Sequence, residues 1–123
     1  MRETERVNLA SVVGNGICVA SEDGEKVYQA ILGALRRGKN VEISFEGVED
    51  LTSLFLNTAI GQLYRDFKEE ELRERLSVAD DARPQDLETL KRSVDRAKEY
   101  FKNPERFHSA ANEVLGDDSE YRE

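Results

Sequence analysis

The chain has 123 residues and carries 18 Lys and Arg against 26 Asp and Glu, a formal net charge of -8; it is 38% hydrophobic and 36% charged. That is one domain's worth of sequence, able to bury a core without metal or disulfide staples, under a heavily solvated surface. The negative balance opposes binding to bare nucleic-acid phosphates, whose affinity rests on Lys and Arg, and the lone Cys18 rules out an intramolecular disulfide.

A single cysteine fits a reducing compartment. The first residues are charged, and no run approaches the roughly 18 apolar residues of a membrane span. A cytoplasmic protein that binds neither membrane nor nucleic acid is therefore expected.

Residues 6–13 hold Val7, Leu9, Val12 and Val13, a β-rich stretch, followed by the turn signal Gly14-Asn15-Gly16 and the apolar run Ile17 to Ala20. Together these read as a β-hairpin. The Gly14-x-Gly16 spacing puts Val19 where a dinucleotide fingerprint needs its third glycine, and no helix opens at once, so a phosphate cradle is set aside. Ser21 and Asp23 are candidate N-caps for a helix whose apolar face is Val27, Tyr28, Ile31, Leu32 and Leu35. Gly38, after Arg36 and Arg37, stops it.

Val41, Ile43 and Phe45 alternate with Glu42, Ser44 and Glu46, the pattern of a strand with one face buried and the other wet. Past Gly47, Asp50 or Thr52 is the N-cap of a helix carrying Leu56, Ala59, Ile60, Leu63, Tyr64 and Phe67. Strand, helix and strand at this spacing favour a right-handed parallel crossover. The run Lys68 to Glu71 interrupts the stripe. Residues 73–79 read as a strand with Leu76 and Val78 inward, residues 69–76 as alternatively a prolonged helix.

Pro84 opens a last helix striped by Leu87, Leu90, Val94, Ala97 and Phe101, with Glu88 and Arg92 paired on its wet side; Asn103-Pro104 ends it. Residues 1–103 are the expected domain. Residues 104–123 are expected to hold a short helix through Phe107, Ala111 and Leu115 and an acidic mobile tail. The fold class is α/β: a mixed four-stranded sheet with helices packed mainly on one face.

Chemistry-bearing motifs are sparse. His108 is the only histidine and lacks spaced partners for zinc. The acidic runs 69–71 and 117–118 have no calcium-loop pattern, and neither a nucleophile elbow nor a phosphate loop is present. Cys18 reads as a small apolar side chain in the second strand. No metal, no cofactor, no catalytic residue and no enzyme activity are expected.

The phrase Val41-Glu-Ile-Ser-Phe-Glu-Gly-Val-Glu-Asp-Leu-Thr-Ser-Leu-Phe-Leu-Asn-Thr-Ala-Ile-Gly-Gln-Leu-Tyr64, with this order of elements, resembles the STAS-like family of small bacterial proteins. These are relatives of the sulfate-transporter and anti-sigma-factor-antagonist domains. The resemblance spans roughly residues 5 to 100 and is motif-grade from Val41 to Tyr64. In the antagonists a serine of an Asp-Ser-Ser-Gly-like signature at the helix start is phosphorylated by a partner kinase. Overlaying that signature sets Thr52 at the aspartate, Ser53 at the first serine, Leu54 at the usual acceptor and Phe55 at the glycine.

What the resemblance implies is a non-catalytic bacterial regulatory or adaptor domain that docks a protein partner through residues 47–57. The implied partner is a histidine-kinase-like ATPase or an anti-sigma-like switch protein. Ser53 and Thr52 are the candidate phospho-acceptors, with helix capping as their plainer role, and Asp50, Leu54 and Asn57 are the candidate partner contacts. A phosphate at a helix N-terminus is tolerated by the unpaired N–H groups there. Beside Glu49 and Asp50, its charge would repel a docked surface. Two rivals belong to other classes: a self-associating structural protein, dimerising through the last helix or a sheet edge, and a module binding a nucleotide or small anion at the Asp50 to Ser53 helix start.

Overall fold

The computed structural model describes residues 2–102. Strand β1 (Thr4–Asn8) is followed at once by a single helical turn, α1 (Leu9–Val13). The apolar residues of that turn predicted extended chain, but its ends decide otherwise. Asn8 accepts the Ser11 N–H at 2.7 Å, and Gly14 closes the turn in the left-handed region at φ 103°. The expected hairpin is therefore absent. Strand β2 (Ile17–Cys18) instead pairs in parallel with β4 (Asp50–Leu51), Ile17 opposite Asp50 and Cys18 opposite Leu51.

Helix α2 (Ser21–Arg36) buries Val27, Tyr28, Ile31, Leu32 and Leu35, the face its sequence spacing predicted. Its N-cap is Ala20, which makes no side-chain cap bond, so neither Ser21 nor Asp23 caps it. Strand β3 (Asn40–Ser44) is the centre of the main sheet, whose order is β1-β3-β5. Both ladders run parallel, with Val7 opposite Ile43 and Ile43 opposite Val78. The described strands thus make a three-stranded and a two-stranded parallel sheet, in place of one mixed four-stranded sheet. The α/β class itself stands.

After β4 come α3 (Ser53–Leu56), a π-turn (Asn57–Gly61) and α4 (Leu63–Asp66). Phe55, Leu56, Ala59, Ile60 and Leu63 are at most 1% exposed and join α2 and the sheet in one core. Residues 69–75 form helix α5 (Glu69–Arg75), which leaves only Leu76–Val78 to strand β5. Three carboxylates in its first turn and two arginines in its last favour helix there over extended chain. Val78 shares the face of Ile43, yet at this open edge it is 37% exposed. Pro84 does open helix α6 (Pro84–Lys102), and Glu88 and Arg92 pair at 3.8 Å. Leu87 lies off its buried face, which is Asp86, Leu90, Ser93 and Ala97. The short helix and acidic tail expected at 104–123, with His108, lie outside the described residues.

The sheet face turned away from the core residues is polar. Arg6 reaches Glu42 at 3.1 Å, Ser44 Oγ at 3.2 Å and Asp81 at 2.8 Å, and Asn8 Nδ2 donates to Ser44 Oγ at 3.0 Å. Ser44, predicted wet, is fully covered by this network. It donates to Asp81 at 2.6 Å, while the Phe45 N–H donates to the same carboxylate at 2.9 Å. The Ser44 hydroxyl first, then the Phe45 amide and the Arg6 charge, hold Asp81 below the ordinary carboxylate pKa. A carboxylate with a lowered folded pKa contributes stability above its unfolded pKa and loses it as pH falls through the folded one. Asp81→Asn should therefore lower stability at neutral pH and flatten its acid decline, as read from urea midpoints across the acid range.

Candidate functional site

Residues 47–57 are fixed from three sides. Gly47 turns the chain at φ 85°, and the Val48 N–H returns to the Phe45 carbonyl at 3.0 Å. The Gly16 carbonyl accepts both the Glu49 and Asp50 N–H groups, at 2.8 and 3.1 Å. A Cβ on Gly16 would stand 2.4 Å from the Gly47 carbonyl oxygen, so the close approach requires glycine. On the other side Arg83 reaches the Glu49 carbonyl at 3.4 Å while its guanidinium pairs with buried Asp86 at 2.9 Å. Asp86 also accepts the Arg83 N–H at 3.0 Å, closing the first turn of α6.

The choice between Asp50 and Thr52 as cap is settled by geometry. Thr52 Oγ1 accepts the Phe55 N–H at 3.1 Å and donates to the Val19 carbonyl at 2.9 Å, and the Thr52 N–H donates to the Cys18 carbonyl at 3.2 Å. Its hydroxyl is therefore engaged twice. Ser53, the first helical residue, is exposed, and its hydroxyl makes no hydrogen bond among the described residues. Leu54 is 57% exposed, whereas Phe55 and Leu56 are fully buried. Asp50 is exposed in its ladder opposite Ile17, itself 40% exposed.

Asn57 stands apart from these four. It is half-buried against α6, and its amide oxygen accepts the Ser93 hydroxyl at 2.5 Å. Four residues on, Gly61 faces Ala97, with 3.5 Å between a Cβ built there and the Ala97 Cβ. The two segments thus run side by side in the same direction. Across the other flank, a Cβ on Gly24 of α2 would meet the Phe55 carbonyl oxygen at 2.6 Å and Thr58 Cβ at 3.0 Å. The π-turn occurs where the site helix is pressed between α2 and α6.

Sequence reasoning missed Gly16, Gly24, Arg83 and Ser93, because each acts through a partner more than 30 positions away. Cys18, in the second strand as expected, is fully buried, and burial, with help from Asp23 and Asp86, pushes its thiol up to about 11. It is held as the unreactive thiol. Among the described residues no group of three or more His, Cys, Asp or Glu is placed to hold a metal ion. No described helix is long and apolar enough to cross a membrane.

A family model described as a STAS-like domain of unknown function (DUF4325) matches residues 23–86. No curated protein and no solved structure matches the chain. The matched span runs from the first turn of α2 to the first turn of α6, so it contains β3, the 47–57 loop and the whole site helix. With just over half its length inside that match, the chain belongs to the STAS-like family.

Proposed function

We propose that this domain is a bacterial regulatory or adaptor module that docks a protein partner through residues 47–57, with Ser53 as its phosphorylation switch. The observation that carries the reading is the contrast at the helix start. Thr52 is locked as a cap, while Ser53 and Leu54 beside it face solvent on a backbone held by Gly16 and Arg83. Phosphorylating Thr52 would cost two hydrogen bonds, whereas phosphorylating Ser53 breaks none within the described residues. A phosphate there adds nearly two negative charges beside Asp50 and Glu49 and sets like charge and desolvation against a docked surface.

Leu54 supplies the apolar anchor and Asp50 and Ile17 its rim; Asn57, bonded to Ser93, is a lesser contact. The family resemblance implies a histidine-kinase-like ATPase as partner. Titration calorimetry against such an ATPase from the same host is the test. Leu54→Glu and Ser53→Asp should each weaken binding at least about tenfold, an anchor lost and a charge added at a contact centre. Leu54→Glu should leave the melting temperature nearly unchanged, since an exposed substitution is worth within about 0.5 kcal/mol. Thr52→Ala should instead cost about 1–2 kcal/mol of stability through the lost cap. Wild-type binding by Leu54→Glu would reject the reading.

A further inference from the structure

At the open edge of the main sheet, Leu90, Val94 and Lys98 of α6 recur at the four-residue spacing that puts side chains on one helix face, and they border a hollow shared with β5. Strand β5 has only three residues, and no described strand pairs with its outer edge. The short side chains of Val94 and Val78 leave about 180 Å³ between helix and strand. The floor is aliphatic, with Ile43, Ile60 and Leu72 each 1% exposed beneath it.

The polar part of the lining is Tyr64, Glu69, Arg73, Ser77 and Lys98. The Tyr64 hydroxyl makes no hydrogen bond among the described residues. Burial first, then the charges of Glu69 and Asp95, raise its pKa against the pull of Arg73, so it stays a neutral donor. Glu69 pairs with Arg73 at 2.9 Å and with Lys98 at 3.1 Å, so the lining sets two cations against one carboxylate. The other carboxylate that acts on Tyr64, Asp95, pairs with Lys91 at 2.9 Å. An aliphatic hollow with an unused hydroxyl and a cation in excess suits a molecule that has an apolar body and a single anionic head. A cavity of about 150 Å³ lined by Leu, Ile and Phe takes a benzene, so this one has room for an apolar body of about six carbons.

We propose that this hollow binds an aliphatic monocarboxylate of about six carbons, its chain on Ile43, Ile60 and Val94 and its carboxylate at the Tyr64 hydroxyl and the Lys98 ammonium. The site is independent of whether residues 47–57 dock a partner.

The test titrates the full, isotopically labelled chain with sodium hexanoate and follows the backbone amide signals. Those of Leu76, Val78 and Val94 should shift saturably, with a Kd on the order of 1 mM for so small a ligand. Hexylammonium, which has the same chain and the opposite head charge, should bind at least about tenfold more weakly. Tyr64→Phe and Lys98→Gln should each weaken hexanoate at least about threefold, with the signals of α2 unmoved as the check on folding. Absence of saturable shifts, shifts centred away from this hollow, or equal binding of the two head charges would overturn the proposal. So would wild-type affinity for hexanoate in either folded variant.

Discussion

Gly24→Ala should lower the melting temperature by roughly 10–20 °C, a loss of about 2–3 kcal/mol at the 4–8 °C per kcal/mol of a domain this size. The sign is what makes the result informative. In an exposed helix the same replacement stabilises by about 1 kcal/mol, because alanine gives up less backbone freedom. Here the added methyl has nowhere to go: its nearest neighbour is the backbone oxygen of Phe55, 2.6 Å away, and a backbone atom in the core of the site helix does not swing aside. Relief requires the helix carrying Ser53 and Leu54 to move off α2. Gly61→Ala is the matched control. Its methyl would make an ordinary 3.5 Å contact with Ala97, so it should be neutral or mildly stabilising. Thermal melts of both variants decide it, and a Gly24→Ala protein as stable as the parent would mean the α2 contact is looser than these distances.

Arg75→Met should cost about 3 kcal/mol, since hydrogen bonds from a charged donor contribute about 1.5–3 kcal/mol each. Arg75 is 6% exposed and donates to the carbonyls of Leu35 at 2.7 Å and Lys39 at 2.8 Å, capping the end of α2, while Glu71 takes its other arm at 3.1 Å. Methionine keeps much of the volume and removes every donor. Glu71→Gln, by contrast, should change stability by less than about 1 kcal/mol, because that carboxylate is 43% exposed and well screened. Urea unfolding of the two variants separates the roles. Similar losses would show that charge pairing, rather than the bonds to the Leu35 and Lys39 carbonyls, is what Arg75 provides.

What the sequence revealed follows from how far each signal travels along the chain. The stripe of α2, the buried residues of β3 and the start of α6 at Pro84 are local patterns, repeated often enough to be read without a partner. Leu54, a candidate partner contact on the sequence, is exposed, and Leu56 of the helix stripe is buried. The hairpin expectation failed because a two-residue strand carries no period of its own. Ile17 and Cys18 are extended by pairing with Asp50 and Leu51, 33 positions on. Ser44 was misread for a similar reason: alternation placed it on the wet face, and only Asn8, Arg6 and Asp81 converging there bury it. Over 69–76 the sequence leaves strand and prolonged helix both open, and the carboxylates and arginines at the two ends of 69–75 favour the helix that forms. In the site, the cap was narrowed to two residues, and the Val19 carbonyl distinguished them.

The small β2–β4 sheet is a clasp at the start of the site helix. Its four residues share no backbone bond with the ladder of β1, β3 and β5, and the bonds around Gly16 and Cys18 run from one half of the pair to the other. Opening of residues 16–18 and 49–52 as a unit of their own would leave the central sheet closed but bare Cys18, which the core covers fully. Ser53 is exposed with the clasp shut, so access to it does not wait on that opening; what unlatching would change is the footing of the helix start, because the Thr52 N–H bond to the Cys18 carbonyl belongs to the clasp.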